Sequence, residues 1–400
     1  MKRCKTPSFV LTLPLSYEEW QKYRLDTLFR VCGQMSNNLI YDRRKALEQL
    51  KRTKRWKEVQ ASISALHDKH DGGLIDDNAF QKLVDPWHKK RNTLLSEFGF
   101  SEYVFQARMK KWRKHHKGLV NANVAQKLAS SIWQKFKAYF FSDGEKTDFI
   151  PWTEFFSIEG KNNTTGIVYQ DGQVKLGKLK IPVKLPKGDG HSSSDIYETE
   201  ALSHRVKYCR IKRRWCEEGW RYFVQLILEG DVPIKVRPTG EVMHPIGSGR
   251  VGLDIGTQTL AYSSSSTVGL VELAPAVKNI DAELRRINRA MDRSRKATNP
   301  QMFNADGTII HVDKLPPNCL DQHGKRKWVS SQRYKALAMK RRALYQKQAA
   351  LRLQLHHELA NQLLTQGDEF YIEQMRFRGL AKKSKEVKKS KTGKNLSRKR

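Results

Sequence analysis

The spacing of apolar residues changes near residue 142, and this change constrains the fold more than any other feature of the chain. Across residues 16–141, strong helix formers are mixed with apolar residues that recur every third or fourth position, as on one face of a helix. After residue 142, short runs alternate apolar and polar residues, which is the spacing typical of strands. The sequence therefore predicts an α+β fold of several domains, with a helical domain over residues 16–145.

The clearest predicted helix follows Asn121, whose side chain suits the N-cap position. Five apolar side chains then recur every fourth residue as one stripe: Val124, Leu128, Ile132, Phe136 and Phe140. Lysine and glutamine occupy much of the opposite face. We expect the stripe to pack against the rest of the helical domain.

A small β domain is predicted for residues 146–247, from runs such as "GIVYQDG", "QVKLGKLKIPVKLP" and "RVKYCRIKRRWCEEGWRYFVQLILEG". In the last run, "EEG" separates two β-rich stretches and is typical of a hairpin turn. A further strand is predicted over residues 9–15, so residues 1–15 belong to the same β domain. The helical domain is then inserted into this β domain, which we expect to close into a barrel.

The chain is strongly basic, with 75 Lys and Arg against 41 Asp and Glu and a formal net charge of +34. So positive a surface repels itself unless a polyanion neutralises it, and nucleic acid is the natural partner. The cluster "KKWRKHHK" supplies candidate phosphate contacts at Lys110, Lys111, Arg113 and Lys114. For any single lysine, a solvated helix surface is the alternative interpretation.

Other partners and compartments are less consistent with the sequence. No apolar run approaches the ~20 residues of a membrane span, and the N-terminal basic and apolar stretch lacks a cleavage site of a signal peptide. The five cysteines are odd in number and widely spaced, so they indicate neither a disulfide framework nor a C-x-x-C zinc half-site. We expect a reduced, cytoplasmic protein that does not bind membranes, and the oligomeric state stays open.

The stretch "VGLDIGTQTLAYS", residues 251–263, places a single carboxylate, Asp254, in an otherwise apolar, glycine-flanked run. It predicts the first strand of a three-stranded meander. A helix from residue 281 and a long helix over residues 331–364 follow, and then a short apolar strand that ends in Glu373. If this fourth strand lies parallel beside the first, Asp254 and Glu373 meet at neighbouring strand ends.

Two adjacent carboxylates repel each other unless a divalent cation lies between them. Mg²⁺ prefers oxygen ligands, and such ions can activate water and stabilise the leaving oxygen of a phosphodiester. The pair Asp254 and Glu373 is therefore a candidate metal site. Taken singly, Asp254 has the alternative interpretation of a turn cap, and Glu373 that of the first solvated residue after a strand.

These motifs resemble a known family. "VGLDIGTQTLAYS", "NPQMFNADGT" with "KRKWVSSQRY", and "FYIEQMRFRGLAKKSKE" look like the first and second RuvC-type motifs of the TnpB (OrfB) transposon-encoded proteins, relatives of the type V CRISPR effectors. The text "FFSIEGKNNTTGIVYQDGQVKLGKLKIPVKLP" resembles the wedge region of that family. The resemblance extends over nearly the whole chain.

The resemblance implies an RNA-guided DNA endonuclease that binds a guide RNA and a target DNA, in which base pairing supplies the sequence specificity. It implies a helical recognition domain inserted in a small β-barrel wedge domain, followed over residues 248–400 by an incomplete RuvC/RNase H-like α/β nuclease domain. By this resemblance, Asp254 is the first catalytic carboxylate and Glu373 the second, and both are ligands of Mg²⁺ or Mn²⁺. It also implies a prokaryotic, nucleoid-associated location.

The basic run after Glu373 is a further candidate nucleic-acid contact, through Arg376, Arg378, Lys382, Lys383 and Lys385. A solvated tail is its alternative interpretation. The family also has a third carboxylate and a zinc module with paired C-x-x-C motifs, and neither occurs in these 400 residues. By this comparison the chain looks cut short, zinc would be bound only if the chain continues past Arg400, and we expect the 400 residues alone to lack cleavage activity.

Two other functions compete with this one. A truncated or degenerate relative would bind RNA and DNA without cutting, as the missing third carboxylate suggests. The motif "GLDIGTQT" also resembles the first phosphate motif of sugar kinases and actin-like ATPases. Those proteins have a second D-x-G loop downstream, which this sequence lacks after Asp254, and a charge of +34 does not suit a metabolic kinase.

Overall fold

The computed structural model describes residues 6–142, 144–151, 155–216, 219–321 and 324–373. It is a mixed α+β structure that divides into two compact units, Met1–Glu241 and Val242–Arg400. We describe each unit by itself.

The first unit contains five successive helices between its first and second strands. They are α1 (Glu19–Arg52), α2 (Lys54–Asp71), α3 (Asp77–Glu97), α4 (Glu102–Arg113) and α5 (Ala122–Phe141). Side chains fix several of the helix starts. Asn121 caps α5 by accepting a 2.8 Å hydrogen bond from the Asn123 amide, as the sequence predicted. The predicted stripe of α5 is buried at four of its five positions, and Phe140 is half-buried.

Residues 41–70 belong to two helices, because Thr53 separates α1 from α2. The Thr53 hydroxyl accepts a 3.2 Å hydrogen bond from the Trp56 amide and so caps α2. The Thr53 amide donates to the Leu50 carbonyl and closes α1. A single threonine in extended conformation is enough to end one helix and start the next.

The strands of the first unit form two separate antiparallel sheets. The strands are β1 (Ser8–Pro14), β2 (Ser157–Glu159), β3 (Ile167–Gln170), β4 (Gln173–Leu176), β5 (Leu179–Pro182), β6 (Val206–Cys216) and β7 (Gly219–Glu229), and one short helix, α6 (Ser193–Ser203), precedes β6. One sheet has the order β1-β7-β6-β2 and the other β3-β4-β5. β1 pairs with β7 from Ser8↔Glu229 to Pro14↔Phe223, so the helices lie between two parts of the β region in sequence.

The prediction of a closed barrel is wrong for the described residues, since neither sheet closes on itself. The two sheets are linked by an isolated bridge, Leu15↔Val183. The face of the four-stranded sheet is covered by α1, where the Phe29 ring packs edge-on against Tyr222 on β7 and against Phe155 before β2. Because a helix already buries the apolar face, the sheet gains no further burial by closing.

A buried arginine lies in this core. The Arg213 side chain on β6 is 2% exposed, and its Nε donates a 2.8 Å hydrogen bond to the Phe155 carbonyl. Its guanidinium lies 4.0 Å from the ring centroid of Trp220 and 4.9 Å from that of Phe29. Hydrogen bonding and ring contacts together compensate for the desolvated charge.

The second unit is built on a four-stranded sheet of order β10-β9-β8-β11. Its strands are β8 (Arg250–Ile255), β9 (Thr259–Ser263), β10 (Val268–Glu272) and β11 (Glu369–Ile372), and its helices are α7 (Asp281–Thr298) and α8 (Gln332–Leu364). The first three strands form the predicted antiparallel meander. β11 pairs parallel with β8 after the helical crossover, so the predicted position of the fourth strand is confirmed.

The long helix α8 matches its predicted bounds, and little of it is buried. Its N-cap Ser331 accepts a 3.0 Å hydrogen bond from the Tyr334 amide. Six leucines recur along one side of α8. Leu363 is buried, and the other five are half-buried: Leu337, Leu344, Leu351, Leu355 and Leu359. Within the described part of the unit, α8 packs mainly against α7, which covers only a portion of its length.

The segment between α7 and α8 contains one motif twice, seventeen residues apart. Each copy is a single 3₁₀ turn, Pro300–Met302 or Pro317–Cys319, that leads into a tight hairpin. The hairpins are closed by the bridges Phe303↔Ile309 and Leu320↔Arg326, and each turns at a glycine of positive φ, Gly307 or Gly324. Met302, Leu315 and Cys319 form a small core of their own beneath the two copies.

Candidate metal centre and nucleic-acid interface

Asp254 and Glu373 lie side by side at the ends of two parallel strands. The register of β11 and β8 runs from Glu369↔Arg250 to Ile372↔Leu253; Asp254 is the next residue of β8, and Glu373 is the first residue after β11. Residues in register on parallel strands share a face, and neighbouring strands are about 4.8 Å apart. Both side chains are exposed. The two carboxylates therefore project from the same face of the sheet at adjacent positions.

The same face contains an ion pair at the opposite end of the strands. Arg250 Nε lies 3.0 Å from Glu369 Oε2, and the Arg250 guanidinium lies 6.0 Å from the ring centroid of Tyr371. Within the described ranges, by contrast, neither Asp254 nor Glu373 has a hydrogen-bond or ion-pair partner. No cationic side chain of the described residues therefore neutralises the carboxylate pair at the strand ends.

The surface beside Asp254 is open. Gly252 precedes Asp254 on the same face, and a Cβ added there would meet only the Ser263 carbonyl oxygen, at 4.0 Å. Across the ladder, Asp254 is paired with Ala261 on β9, another small residue. The sheet surface next to the carboxylates is therefore lined, at these two positions, by residues with little or no side chain.

The donor set fits a divalent cation of the Mg²⁺ class. Proteins commonly hold Mg²⁺ with one or two carboxylates, and water and substrate phosphate complete its six-fold shell. Asp254 and Glu373 supply two hard oxygen donors on rigid strands, with no cationic side chain of the described residues between them. No cluster of three or more His, Cys, Asp or Glu suited to a metal occurs in the described part of the chain. Within the described residues, the candidate metal site therefore consists of the two carboxylates of Asp254 and Glu373.

The basic cluster predicted on the first unit is divided by the structure. Lys110 and Lys111, near the end of α4, and Lys114, in the 3₁₀ turn Lys114–His116, are exposed to solvent. Arg113 is half-buried, and its Nε donates a 3.0 Å hydrogen bond to the Val120 carbonyl. Arg113 lines a cleft with Trp20, which sequence reasoning did not single out.

The predicted contacts Arg376, Arg378, Lys382, Lys383 and Lys385 lie outside the described residues. None of the described helices combines the length and the apolar character that crossing a bilayer requires.

No protein-family model matches the sequence, and no curated protein matches it significantly. Among solved structures, the chain is similar to one described as "Cryo-EM structure of the Cas12f1-sgRNA-target DNA complex", with 12% identity and a TM-score of 0.29, over 92% of this chain and 81% of that chain. It is also similar to "Cryo-EM structure of CRISPR-Cas12f Ternary Complex", with 14% identity and a TM-score of 0.22, over 91% and 80%. Similarity at this level does not by itself establish a function.

Proposed function

We propose that this protein is an RNA-guided nucleic-acid-binding effector, a relative of the type V CRISPR effectors of the TnpB (OrfB) kind. In this proposal it binds a guide RNA and cleaves target DNA at a site whose metal ligands include Asp254 and Glu373. The observation that carries the proposal is the register of β8 and β11. Two acidic residues more than a hundred positions apart in sequence end adjacent strands on one face.

Three properties of the chain support the proposal together. The motifs around Asp254 and Glu373 resemble the first and second RuvC-type motifs, in which these positions carry the catalytic carboxylates. The net charge of +34 suits a polyanionic partner. On the described face beside Asp254, the neighbouring positions Gly252 and Ala261 have little or no side chain, which suits the approach of a phosphodiester backbone.

The residues of the site have simple roles in this proposal. Asp254 and Glu373 bind Mg²⁺ or Mn²⁺, which when bound supplies Lewis-acid activation of water and charge neutralisation at the phosphodiester. The ladder between β8 and β11 fixes the spacing of the two carboxylates. The ion pair of Arg250 with Glu369 compensates the charge of Glu369, so on the strand pair β8 and β11 the two carboxylates at the far end are the acids without a cationic partner among the described residues.

Cleavage by variants tests the proposal. RNA recovered from the purified protein is sequenced, and a DNA duplex complementary to it serves as the substrate with Mg²⁺. We expect Asp254→Ala and Glu373→Ala to abolish cutting while RNA and DNA binding stay within about twofold of the parent, because the carboxylates act on the metal. The matched control is Glu369→Gln, which removes an acid from the same face four residues earlier and leaves cutting intact. Cutting by either alanine variant contradicts the site assignment.

A second function, binding without cutting, is favoured by one observation. Within the described residues the site has two carboxylates and no third ligand. A protein of this kind would hold RNA and occupy complementary DNA, and its binding would be unaffected by Asp254→Ala, Glu373→Ala or chelation of Mg²⁺. An intact substrate after incubation with the parent protein, together with guide-dependent DNA binding, identifies this function.

A further inference from the structure

A basic cleft of about 360 Å³ in the first unit brings together three separate segments of the chain. The start of α1 contributes Trp20 and Arg24. The end of α4 and the loop before α5 contribute Arg113 and Lys117, and the turn between β4 and β5 contributes Lys178. The size falls within the range of roughly 300–1,000 Å³ that is usual for ligand sites in proteins.

Trp20 presents a large aromatic surface at this cleft. Its side chain is 56% exposed, which is uncommon for a residue that gains much from burial. Its indole N–H donates to the Glu18 carboxylate, and Glu18 is itself held in a capping box with Gln21 at the start of α1. The ring is therefore held in place by the helix start and still faces solvent, as a platform for stacking requires.

The charged side chains that line the cleft are positive and mostly unpaired, and the Glu18 carboxylate bonded to the Trp20 indole is not part of the lining. Arg24, Lys117 and Lys178 are exposed, and none of the three has an acidic partner among the described residues. The Arg113 guanidinium is held at the wall by its hydrogen bond to the Val120 carbonyl. The cleft lining contains no Asp or Glu. Cations that converge without acids favour an anionic ligand.

A ligand with both a flat ring and phosphate groups matches this arrangement. Single-stranded nucleic acid is bound by basic grooves in which aromatic side chains stack on successive bases. Bases within a duplex are already stacked and paired, so they do not reach an indole ring. An unpaired nucleotide offers its base to Trp20 and its flanking phosphates to Arg24, Lys117 and Lys178.

We propose that this cleft binds one unpaired nucleotide of single-stranded RNA, with the base stacked on Trp20. The inference rests on the proposed function, in which RNA is the resident nucleic acid, and it assigns a specific contact for that RNA on the first unit. The cleft is separate in sequence from the carboxylate pair on the second unit, so the two sites are tested independently.

Anisotropy of a fluorescein-labelled twelve-nucleotide oligouridylate, titrated with the full chain, tests the stacking contact. We expect Trp20→Ala to bind about tenfold more weakly than the parent, given the usual loss on removing one base–aromatic stack. Trp20→Phe, which retains a ring, should recover most of the affinity. The control is Tyr23→Ala, which removes a 70% exposed aromatic ring from the same helix outside the cleft. Circular dichroism checks that the variants remain folded.

The salt dependence of binding tests the phosphate contacts. For single strands, each phosphate that a cation neutralises contributes about 0.7 to the slope of log K against log salt concentration. The double variant Lys117→Ala with Lys178→Ala should flatten this slope by about 1.4. A double variant at Lys57 and Lys69, two exposed lysines of α2, loses the same charge elsewhere and should leave the slope nearly unchanged.

The outcomes separate the two proposals. A parent protein that does not bind the RNA overturns the proposed function, and the cleft inference fails with it. A parent protein that binds RNA, with Trp20→Ala no weaker than Tyr23→Ala, overturns the cleft alone. Loss of binding by Trp20→Ala to the matched deoxyoligomer, with RNA binding unchanged, also overturns the inference because it assigns the cleft to DNA.

Discussion

Arg250 and Glu369 form an ion pair across the parallel strands β8 and β11, with 3.0 Å between Nε and Oε2. Four residues further along each strand, on the same face, Asp254 and Glu373 are adjacent with no cation between them among the described residues. The strand pair β8 and β11 thus has an ion pair at its start and two negative side chains at its end. Like charges directly across a ladder destabilise a sheet, so the strand ends favour a cation from solution.

The carboxylate pair predicts a metal-dependent stability of the second unit. In EDTA, Asp254→Asn should raise the free energy of unfolding by about 0.5 kcal/mol, because it removes a like-charge pair. Mg²⁺ at ten times its Kd should stabilise the parent by about 1.4 kcal/mol through binding to the folded state, and should leave the variant unchanged. Thermal unfolding with and without Mg²⁺ measures both effects.

The control for that measurement is Glu369→Gln. This variant loses an exposed ion pair, which contributes no more than about 1 kcal/mol, and should keep the full response to Mg²⁺. If Asp254→Asn and Glu373→Gln respond to Mg²⁺ as strongly as the parent, the metal is bound elsewhere and the site assignment fails.

Local patterns explain what sequence reasoning predicted correctly. The meander of β8, β9 and β10, the N-cap Asn121 and the bounds of α8 depend on residues close together in sequence, and the parallel position of β11 follows from the right-handed crossover rule. The closed barrel failed because closure depends on what covers the sheet face. That cover is Phe29 on α1, more than a hundred residues from β6 and β7.

The cleft at Trp20 left no signal of its own in the sequence. Its cations come from three segments, and each looks like an ordinary basic surface until Arg24, Lys117 and Lys178 are brought together. The repeated hairpin between α7 and α8 did leave a signal, which the sequence reasoning missed. Pro300 and Gly307 recur as Pro317 and Gly324, the residue types that a turn requires.

We expect the stability of the first unit to depend on pH through the hydrogen bonds of Asp195. Its carboxylate accepts 2.9 Å hydrogen bonds from the Gly188 and Gly190 amides, and these bonds lower the pKa of Asp195 from its ordinary 3.8. A lowered folded-state pKa contributes stability that is present above about pH 3.8 and is lost as the pH falls through the folded value. Urea unfolding from pH 6 to pH 2.5 should show the parent losing this contribution.

The variant Asp195→Asn should lack this part of the pH dependence, so its difference from the parent shrinks as the pH falls. The control is Asp189→Asn, an exposed residue of the loop before α6 whose carboxylate accepts one local hydrogen bond, from the His191 amide. A difference between Asp195→Asn and the parent that stays constant down to pH 2.5 contradicts the prediction.

We expect the hydrogen bond between Tyr222 on β7 and Asp26 on α1 to stabilise the packing of α1 on the sheet. The Tyr222 hydroxyl donates to the Asp26 carboxylate, and burial, together with this bond, raises the pKa of Tyr222. Tyr222→Phe should lower the free energy of unfolding by about 1–2 kcal/mol, since the acceptor is charged but partly solvated. Tyr169→Phe, a half-buried tyrosine on β3, is the control and should be nearly neutral. Equal effects of the two variants, measured by urea unfolding, mean that the bond to Asp26 does not stabilise the contact.

We expect Asn299 to stabilise the segment between α7 and α8 by binding its far end at Val329. The Asn299 side chain is fully buried, and Nδ2 donates to the Val329 carbonyl at 2.9 Å while Oδ1 accepts from the Val329 amide at 2.8 Å. Asn299→Ala leaves both Val329 groups without this partner and should lower the stability of the segment by about 2–3 kcal/mol. Hydrogen exchange of peptides from residues 299–330 should be at least tenfold faster. Asn304→Ala removes an exposed hairpin bond to Thr308 and should change exchange only at its own turn; protection that stays at the parent level in Asn299→Ala contradicts the role of this clamp.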